Sequence, residues 1–260
     1  MSFEFTNRRA LITGAGAPRG IGMASARLLG EMGASLYLTG ASSRVLERAE
    51  ELRDEGLDVH ASSADLTDVH QVDDLRRRVL EQFGTLDILV NNAGMTSVER
   101  PIEETGELGE ISQVTERDFE QALTRNLTTA FSVTRALLPS IRASSAGRIV
   151  MVASVTGGLM AMRGQVPYAA AKAGLIGLVR AIALDEAPHG VTVNAVAPGW
   201  IATESQTDHE HRQGLRVPMG RSGSPREVAA AIAWLSSAEA SYITGQSLVV
   251  DGGNSIAEER

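Results

Sequence analysis

RALITGAGAPRGIGMASARLL, residues 9–29, is the stretch on which the reading of the fold turns. Arg9 to Thr13 is a short apolar run of strand length, and Met23, Ala24, Ala26, Leu28 and Leu29 recur at helical spacing. Between them Gly14, Gly16, Gly20 and Gly22 allow a tight turn and a close approach of backbone to a pyrophosphate at the start of a helix. A lone glycine-rich turn is often only a structural loop. Between the first strand and first helix of an alternating chain, it predicts a dinucleotide site.

The alternation continues to the end of the chain. Further strands are expected over 36–39, 58–61, 86–90, 148–153, 191–197 and 248–250. Helices are expected over 43–55, 69–83, from Thr115 through Leu138 as one long element, 167–186 and 225–235. Seven apolar strands joined by helical crossovers predict an α/β fold. It would be a single domain over residues 1–260, a doubly wound seven-stranded parallel sheet with helices on both faces. Ligands of such sheets bind beyond the carboxyl ends of the strands where strand order reverses, so the first strand should end in the site.

Composition narrows the function. With 260 residues and 43% hydrophobic content, the chain can bury one large core. It has no cysteine, which excludes disulfides and thiolate metal sites and suits a cytoplasmic location. A net charge of −8 argues against nucleic acid as a partner, and Arg76 to Arg78 read as a solvated helix face. The first residues, with Glu4 among them, predict no signal peptide, and no apolar run of 18 residues is read, so no membrane is expected. His209 and His211, with Asp208 and Glu210, fall in one exposed polar stretch and do not read as a metal centre.

The chemistry is carried by SVTGGLMAMRGQVPYAAAK, residues 154–172. Lys172 is the only lysine of the chain, four residues after Tyr168, an offset that puts both side chains on one helix face. A phenol, with a reference pKa of about 10, is a poor base at neutral pH; a neighbouring ammonium favours its anion. Ser154 can hydrogen-bond the same substrate oxygen and hold it for the tyrosine. The plainer reading is a packed tyrosine beside a solvated lysine. After the second strand come Gly40, Ala41, Ser42, Ser43 and Arg44, with no acid to accept from ribose hydroxyls. Arg19 and Arg44 would attract a 2′-phosphate, so NADP(H) is expected over NAD(H). Were both arginines to point into solvent, NAD(H) would bind through other contacts.

The assembled set resembles the short-chain dehydrogenase/reductase family over almost the whole chain. The matching pieces are Thr13 to Gly22, Asp65 in ADLTD, NNAG from Asn91 to Gly94, and Asn126 in RNLTTAF. They continue with Ser154, Tyr168, Lys172, Asn194 in VTVNAVAPG, PGWIAT from Pro198 to Thr203, and Asp251 to Gly253. The resemblance implies a Rossmann fold with Gly14, Arg19, Gly20, Ile21 and Gly22 among its cofactor-binding residues. Asp65 with Leu66 would meet the adenine, and Asn92, Ala93 and Gly94 would lie along the cofactor. It implies that Tyr168 is the proton donor or acceptor, that Ser154 orients the substrate oxygen, and that Lys172 holds the nicotinamide ribose. Asn126 would support a water through which the proton is replaced. Pro198, Gly199, Ile201 and Thr203 would close over the nicotinamide, with Thr203 reaching its carboxamide. Each has a bland alternative: Asp65 as a helix cap, Asn126 as a core amide, Trp200 as packing.

Three features depart from the family pattern. Five residues rather than three separate Gly14 from Gly20, and the stretch from Ser154 to Tyr168 is about one residue longer than in many relatives. The segment from Met95 to Asn126 is about ten residues longer and acidic, with Glu99, Glu103, Glu104, Glu107 and Glu110; it reads as a loop beside the substrate entrance or a solvated excursion. Glu204 to Pro225 falls where the family carries a mobile lid. Val155, Leu159, Met160, Met162 and Trp200 are expected to wall an apolar pocket. GQVPYAAAKAGLIGLVRA resembles 3-oxoacyl carrier-protein reductases, yet Leu184 to His189 is acidic where such a carrier meets basic groups. A small-molecule or coenzyme A substrate stays as open as a carrier-bound acyl thioester. The small residues from Ala169 to Ala183 permit close helix approach, and the resemblance suggests a homotetramer. The leading function is an NADPH-dependent carbonyl reductase. An NAD-dependent dehydrogenase of a sugar, polyol or steroid-like alcohol, and a dinucleotide sensor without turnover, are the alternatives.

Overall fold

Leu11 and Ile12 face opposite sides of their strand, as do Leu89 and Val90, and Ile149 and Val150; this pleat feeds two cores, one on each side of a single sheet. The structure is a computed structural model and describes residues 3–94 and 108–258. Its strands are β1 (Arg9–Thr13), β2 (Ser35–Gly40), β3 (Val59–Ser63), β4 (Ile88–Asn91), β5 (Arg148–Val152), β6 (Thr192–Pro198) and β7 (Ser247–Val250). All pairs are parallel, in the order β3-β2-β1-β4-β5-β6-β7. The expected seven-stranded doubly wound sheet is therefore present. Strand order reverses between β1 and β4, opening a crevice at their carboxyl ends.

The helices are α1 (Ile21–Glu31), α2 (Arg44–Asp54), α3 (Val69–Phe83), α4 (Glu116–Leu123), α5 (Thr129–Arg142), a kinked turn α6 (Val155–Gly158), α7 (Val166–Glu186), α8 (Asp208–Gly214) and α9 (Pro225–Ser236). Met23, Ala26 and Leu29 of α1, Val45, Ala49 and Leu52 of α2, and Val228 and Ile232 of α9 cover one face with Ile12, Leu38 and Val90. Val72 and Leu75 of α3, Val133 and Leu137 of α5, and Leu175 and Val179 of α7 cover the other with Leu11, Leu89 and Ile149. Burying a branched apolar side chain is worth about 2 kcal/mol, so the sheet is gripped from both sides.

Two expectations are corrected. The long helix from Thr115 through Leu138 is broken by a π-helical turn at Thr124–Thr128, centred on Asn126. Asn126 is fully buried, and its amide donates to the Ala122 carbonyl at 3.1 Å, taking an acceptor of the helical ladder. Helix α7 is also more apolar than the absence of an 18-residue run suggested: by length and hydropathy alone it could cross a membrane, although it carries Lys172 and Arg180. Its apolar stripe lies in the core against β6. At its end Glu186 is buried and bound bidentately by Arg142 at 2.7 and 2.6 Å, which holds its carboxyl below the usual carboxylate range.

Candidate active site

The floor of the crevice is made by the first strand and NNAG. The Thr13 hydroxyl accepts from the backbone N–H of Asn92 at 3.0 Å and of Ala93 at 2.9 Å. The Asn92 amide donates to the carbonyls of Thr13 and Gly14, each at 3.0 Å. This contact excludes side chains: a methyl on Gly14 would lie 2.8 Å from Ala93 Cα, and one on Gly22 would lie 2.6 Å from the Gly14 carbonyl oxygen. Gly20, the N-cap of α1, has no side chain to cap it, so first-turn N–H groups face the loop without an acceptor from the cap. The two residues that lengthen the loop are absorbed in a turn, closed by the Gly20 N–H on the Ala17 carbonyl at 3.1 Å with Pro18 second in the turn. A cradle of close-packed glycines and an uncapped helix start fit a dinucleotide pyrophosphate.

Around it the expected contacts divide. Arg19 is exposed, whereas Arg44 is mostly covered, its Cβ 3.9 Å from where a methyl on Gly16 would sit. The Arg44 guanidinium faces Glu204, Nη2 to Oε2 3.9 Å. Asp65 is exposed, and its carboxylate accepts from the N–H and hydroxyl of Thr67 at 2.9 and 2.7 Å, while Asp68, not Asp65, caps α3. Leu66 is buried in the core beneath. Ile21 is partly buried against the opposite core, and Gly94, at φ +142°, would put a methyl 2.9 Å from Asn126 Oδ1. NNAG and the π-helical turn thus touch.

Tyr168 and Lys172 are both buried in α7, with Lys172 Nζ 5.6 Å from the centre of the tyrosine ring. Nζ also donates to the Val152 carbonyl at 3.0 Å, tying α7 to the carboxyl end of β5. Two residues on, Ser154 is 9% exposed and its hydroxyl accepts the Thr156 N–H at 3.1 Å, which uses a lone pair and not the hydroxyl proton. Gly157, at φ +95°, lets the turn after Ser154 press against the first turn of α7, where a methyl would meet the Ala169 carbonyl oxygen at 2.2 Å. Gly174 does the same for the π-helical turn: a methyl there would lie 2.9 Å from the Leu127 side chain. Both glycines were legible only as small residues. What they let approach depends on elements far away in the chain.

PGWIAT follows β6. The Gly199 N–H donates to the Val250 carbonyl at 3.0 Å, and a methyl on Gly199 would lie 2.7 Å from Asp251 Cβ, so Pro198 and Gly199 are set by DGG at the end of β7. Ile201 bridges to Gly223, and the Thr203 hydroxyl lies 3.2 Å from that of Ser205. Asn194 is fully buried, with its amide donating to the Ile243 carbonyl at 2.7 Å and its oxygen accepting from the Gln246 N–H at 3.0 Å. Its visible work is to pin β6 to the chain before β7.

Some expectations around the cleft need correction. Of the residues expected to wall an apolar pocket, Val155 is buried and Leu159 is 59% exposed. Leu159 lies past the non-helical kink at Thr156 and Gly157. The polar stretch from Glu204 to Pro225 holds a real helix, α8, started by a reciprocal capping box of Thr207 and Glu210. Of the acidic segment, Glu99, Glu103, Glu104 and Glu107 lie outside the described residues, whereas Gly109 bridges to Gln165 and its N–H donates to the Gly164 carbonyl at 2.6 Å. That places its described end beside the turn leading to Tyr168.

The comparisons agree with this architecture. Residues 14–255 match the family model described as Enoyl-(Acyl carrier protein) reductase. The chain is 39% identical over 249 residues to the 3-oxoacyl-(acyl-carrier-protein) reductase FabG of Vibrio cholerae, covering 94% of this chain and 96% of that protein. It is 35% identical to the oxidoreductase UcpA of Salmonella typhimurium, over 98% of this chain and 97% of that one. Among solved structures, a dehydrogenase/reductase from Sinorhizobium meliloti superposes with a TM-score of 0.87 at 31% identity, covering 98% of each chain. Levodione reductase gives a TM-score of 0.87 at 32% identity, over 98% of this chain and 100% of that one. With the sheet order, the glycine cradle and the buried tyrosine and lysine in place, the chain belongs to the short-chain dehydrogenase/reductase family of oxidoreductases.

Proposed function

We propose that the protein is an NADP(H)-preferring carbonyl reductase, reversible as a secondary-alcohol dehydrogenase, with Ser154, Tyr168, Lys172 and Asn126 as its catalytic set. The observation that carries this is the buried pair on α7, Lys172 Nζ 5.6 Å from the Tyr168 ring centre, beside the end of β5 and its Ser154. NADPH, when bound, supplies the hydride. Gly14, Gly20, Gly22 and Asn92 to Gly94 would hold this cofactor, and Pro198, Gly199, Ile201 and Thr203 would close over its nicotinamide end. The Ser154 hydroxyl donates to the substrate carbonyl oxygen and holds it toward Tyr168. Tyr168 gives that oxygen its phenolic proton, and the Lys172 ammonium stabilises the phenolate left behind. Asn126 holds the water through which the tyrosine is reprotonated.

Arg44, mostly covered beside the glycine-rich loop, supports the 2′-phosphate preference better than the exposed Arg19. The substrate is a small ketone or a 3-oxoacyl thioester, the latter favoured by the relative that reduces 3-oxoacyl carrier protein. The segment over 204–225 is its lid, and the functional form is a cytoplasmic homotetramer. The test is a panel of ketones, 3-oxoacyl thioesters and alcohols followed by nicotinamide absorbance with NADPH and NADH. Turnover of a carbonyl with a lower KM for NADPH is expected. Turnover of alcohols with NAD alone would favour the dehydrogenase reading, and binding without turnover on any member would favour a sensor.

A further inference from the structure

Glu204 follows Thr203 at the start of the stretch leaving β6, and Arg44 opens α2 just past the carboxyl end of β2. Residues 160 positions apart thus meet as an ion pair, their side chains only 20% and 27% exposed. The Glu204 oxygen that faces Arg44 is withdrawn from solvent and, among the described residues, has no hydrogen-bond donor; at 3.9 Å the guanidinium is beyond hydrogen-bond reach. A covered carboxylate oxygen held only by charge at that distance is poorly satisfied. It will take a donor if one is brought to it, and it will resist a second anion.

Those two responses distinguish the two nicotinamide cofactors, which differ only at the adenosine 2′ position. We propose that Glu204 is a specificity-determining residue for the cofactor, a carboxylate beside Arg44 with which an incoming 2′-phosphate must compete. The inference rests on the reading of Arg44 as the phosphate-holding residue. A 2′-phosphate approaching Arg44 gains charge-assisted hydrogen bonds but meets the Glu204 carboxylate at close range. A 2′-hydroxyl instead donates to the unsatisfied oxygen. Glu204 therefore tunes the preference from the stretch after β6: it lowers the advantage that Arg44 confers on the phosphorylated cofactor and raises the standing of the unphosphorylated one. Strand β2 has no acid at its end, and this carboxylate takes that place from another part of the chain.

The test uses two probes that differ only in the 2′-phosphate, adenosine 2′,5′-bisphosphate and adenosine 5′-monophosphate, titrated calorimetrically into the full-length chain. E204Q keeps the shape and removes the charge. It is expected to tighten the bisphosphate about fivefold, the scale of one partly covered ion pair, while leaving the monophosphate unchanged or weaker. The readout is the ratio of the two affinities, so any loss of folded protein cancels. R44A is expected to bring the ratio down toward one and to abolish the effect of E204Q in the double variant. A ratio unchanged or lowered by E204Q, with R44A behaving as expected, overturns the role of Glu204 alone. A ratio unchanged by R44A overturns the phosphate-holding reading of Arg44 and the inference with it.

Discussion

Gly157 turns at φ +95° so close under α7 that a methyl group there would lie 2.2 Å from the carbonyl oxygen of Ala169, the residue after Tyr168. The contact seats the turn after Ser154 against the helix that carries the tyrosine and lysine. It joins a left-handed backbone to a clash with main chain, and neither can relax by rotating a side chain. Gly157→Ala is expected to cost about 2 kcal/mol or more in unfolding free energy. Turnover should fall further than the loss of folded protein explains, because the turn moves away from Tyr168. Urea unfolding and NADPH turnover on the same preparation check this; a variant matching the parent in both would remove the seating role.

Tyr168→Phe deletes one oxygen from a buried ring. Turnover is expected to fall at least about 100-fold, the scale of general acid catalysis, with NADPH binding largely kept. Fluorescence titration of NADPH beside the steady-state assay separates the two. Unchanged turnover would end the assigned role.

Arg142→Ala would leave Glu186 buried without its bidentate partner. Because Arg142 is 41% exposed, the variant is expected to be less stable at pH 7, by less than the loss of a fully buried pair would cost. Glu186 in the folded protein has its pKa lowered from 4.5 by the guanidinium. The pair therefore contributes fully above that value and fades as acid protonates the carboxylate. The gap between parent and variant should shrink from pH 7 to pH about 3 in urea melts; a gap that grows in acid would contradict the ion-pair account.

Glu227 closes the capping box of α9 with Ser224 and pairs with Arg221, which holds its carboxyl at about 2. Its folded pKa lies below the ordinary 4.5, so the stabilisation is present above 4.5 and is lost as pH falls toward 2. Both side chains are about half exposed, so solvent screening holds the effect below about 1 kcal/mol. E227Q is expected to lower the melting temperature slightly at pH 7 and to make no difference near pH 2. A larger deficit in acid than at neutral pH would speak against the charge as its cause.

The pattern of the elements was written in local residues. Val69 to Phe83 emerged as a helix with the expected bounds, and β5 and α9 within one residue, because apolar periodicity and a capping residue act over a few positions. The π-helical turn at Asn126 was not legible, since nothing in RNLTTAF announces that Leu127 will press on Gly174 some forty-seven residues later. The exposure of Leu159, beyond a kink where Gly157 packs against Ala169 of α7, was not legible either.

Residue types and their order alone determined a parallel sheet with helices on both faces, a glycine-rich first turn, and a tyrosine one helical turn from the sole lysine. Those are consequences of short-range sterics and periodicity, which travel with the chain. Only the tertiary structure decided that Asn126 would meet Gly94, that Lys172 would bind the Val152 carbonyl, and that Glu204 would face Arg44. Such meetings depend on how strands and helices stack at the carboxyl edge of the sheet, and packing of distant elements leaves no local mark in the order of residues.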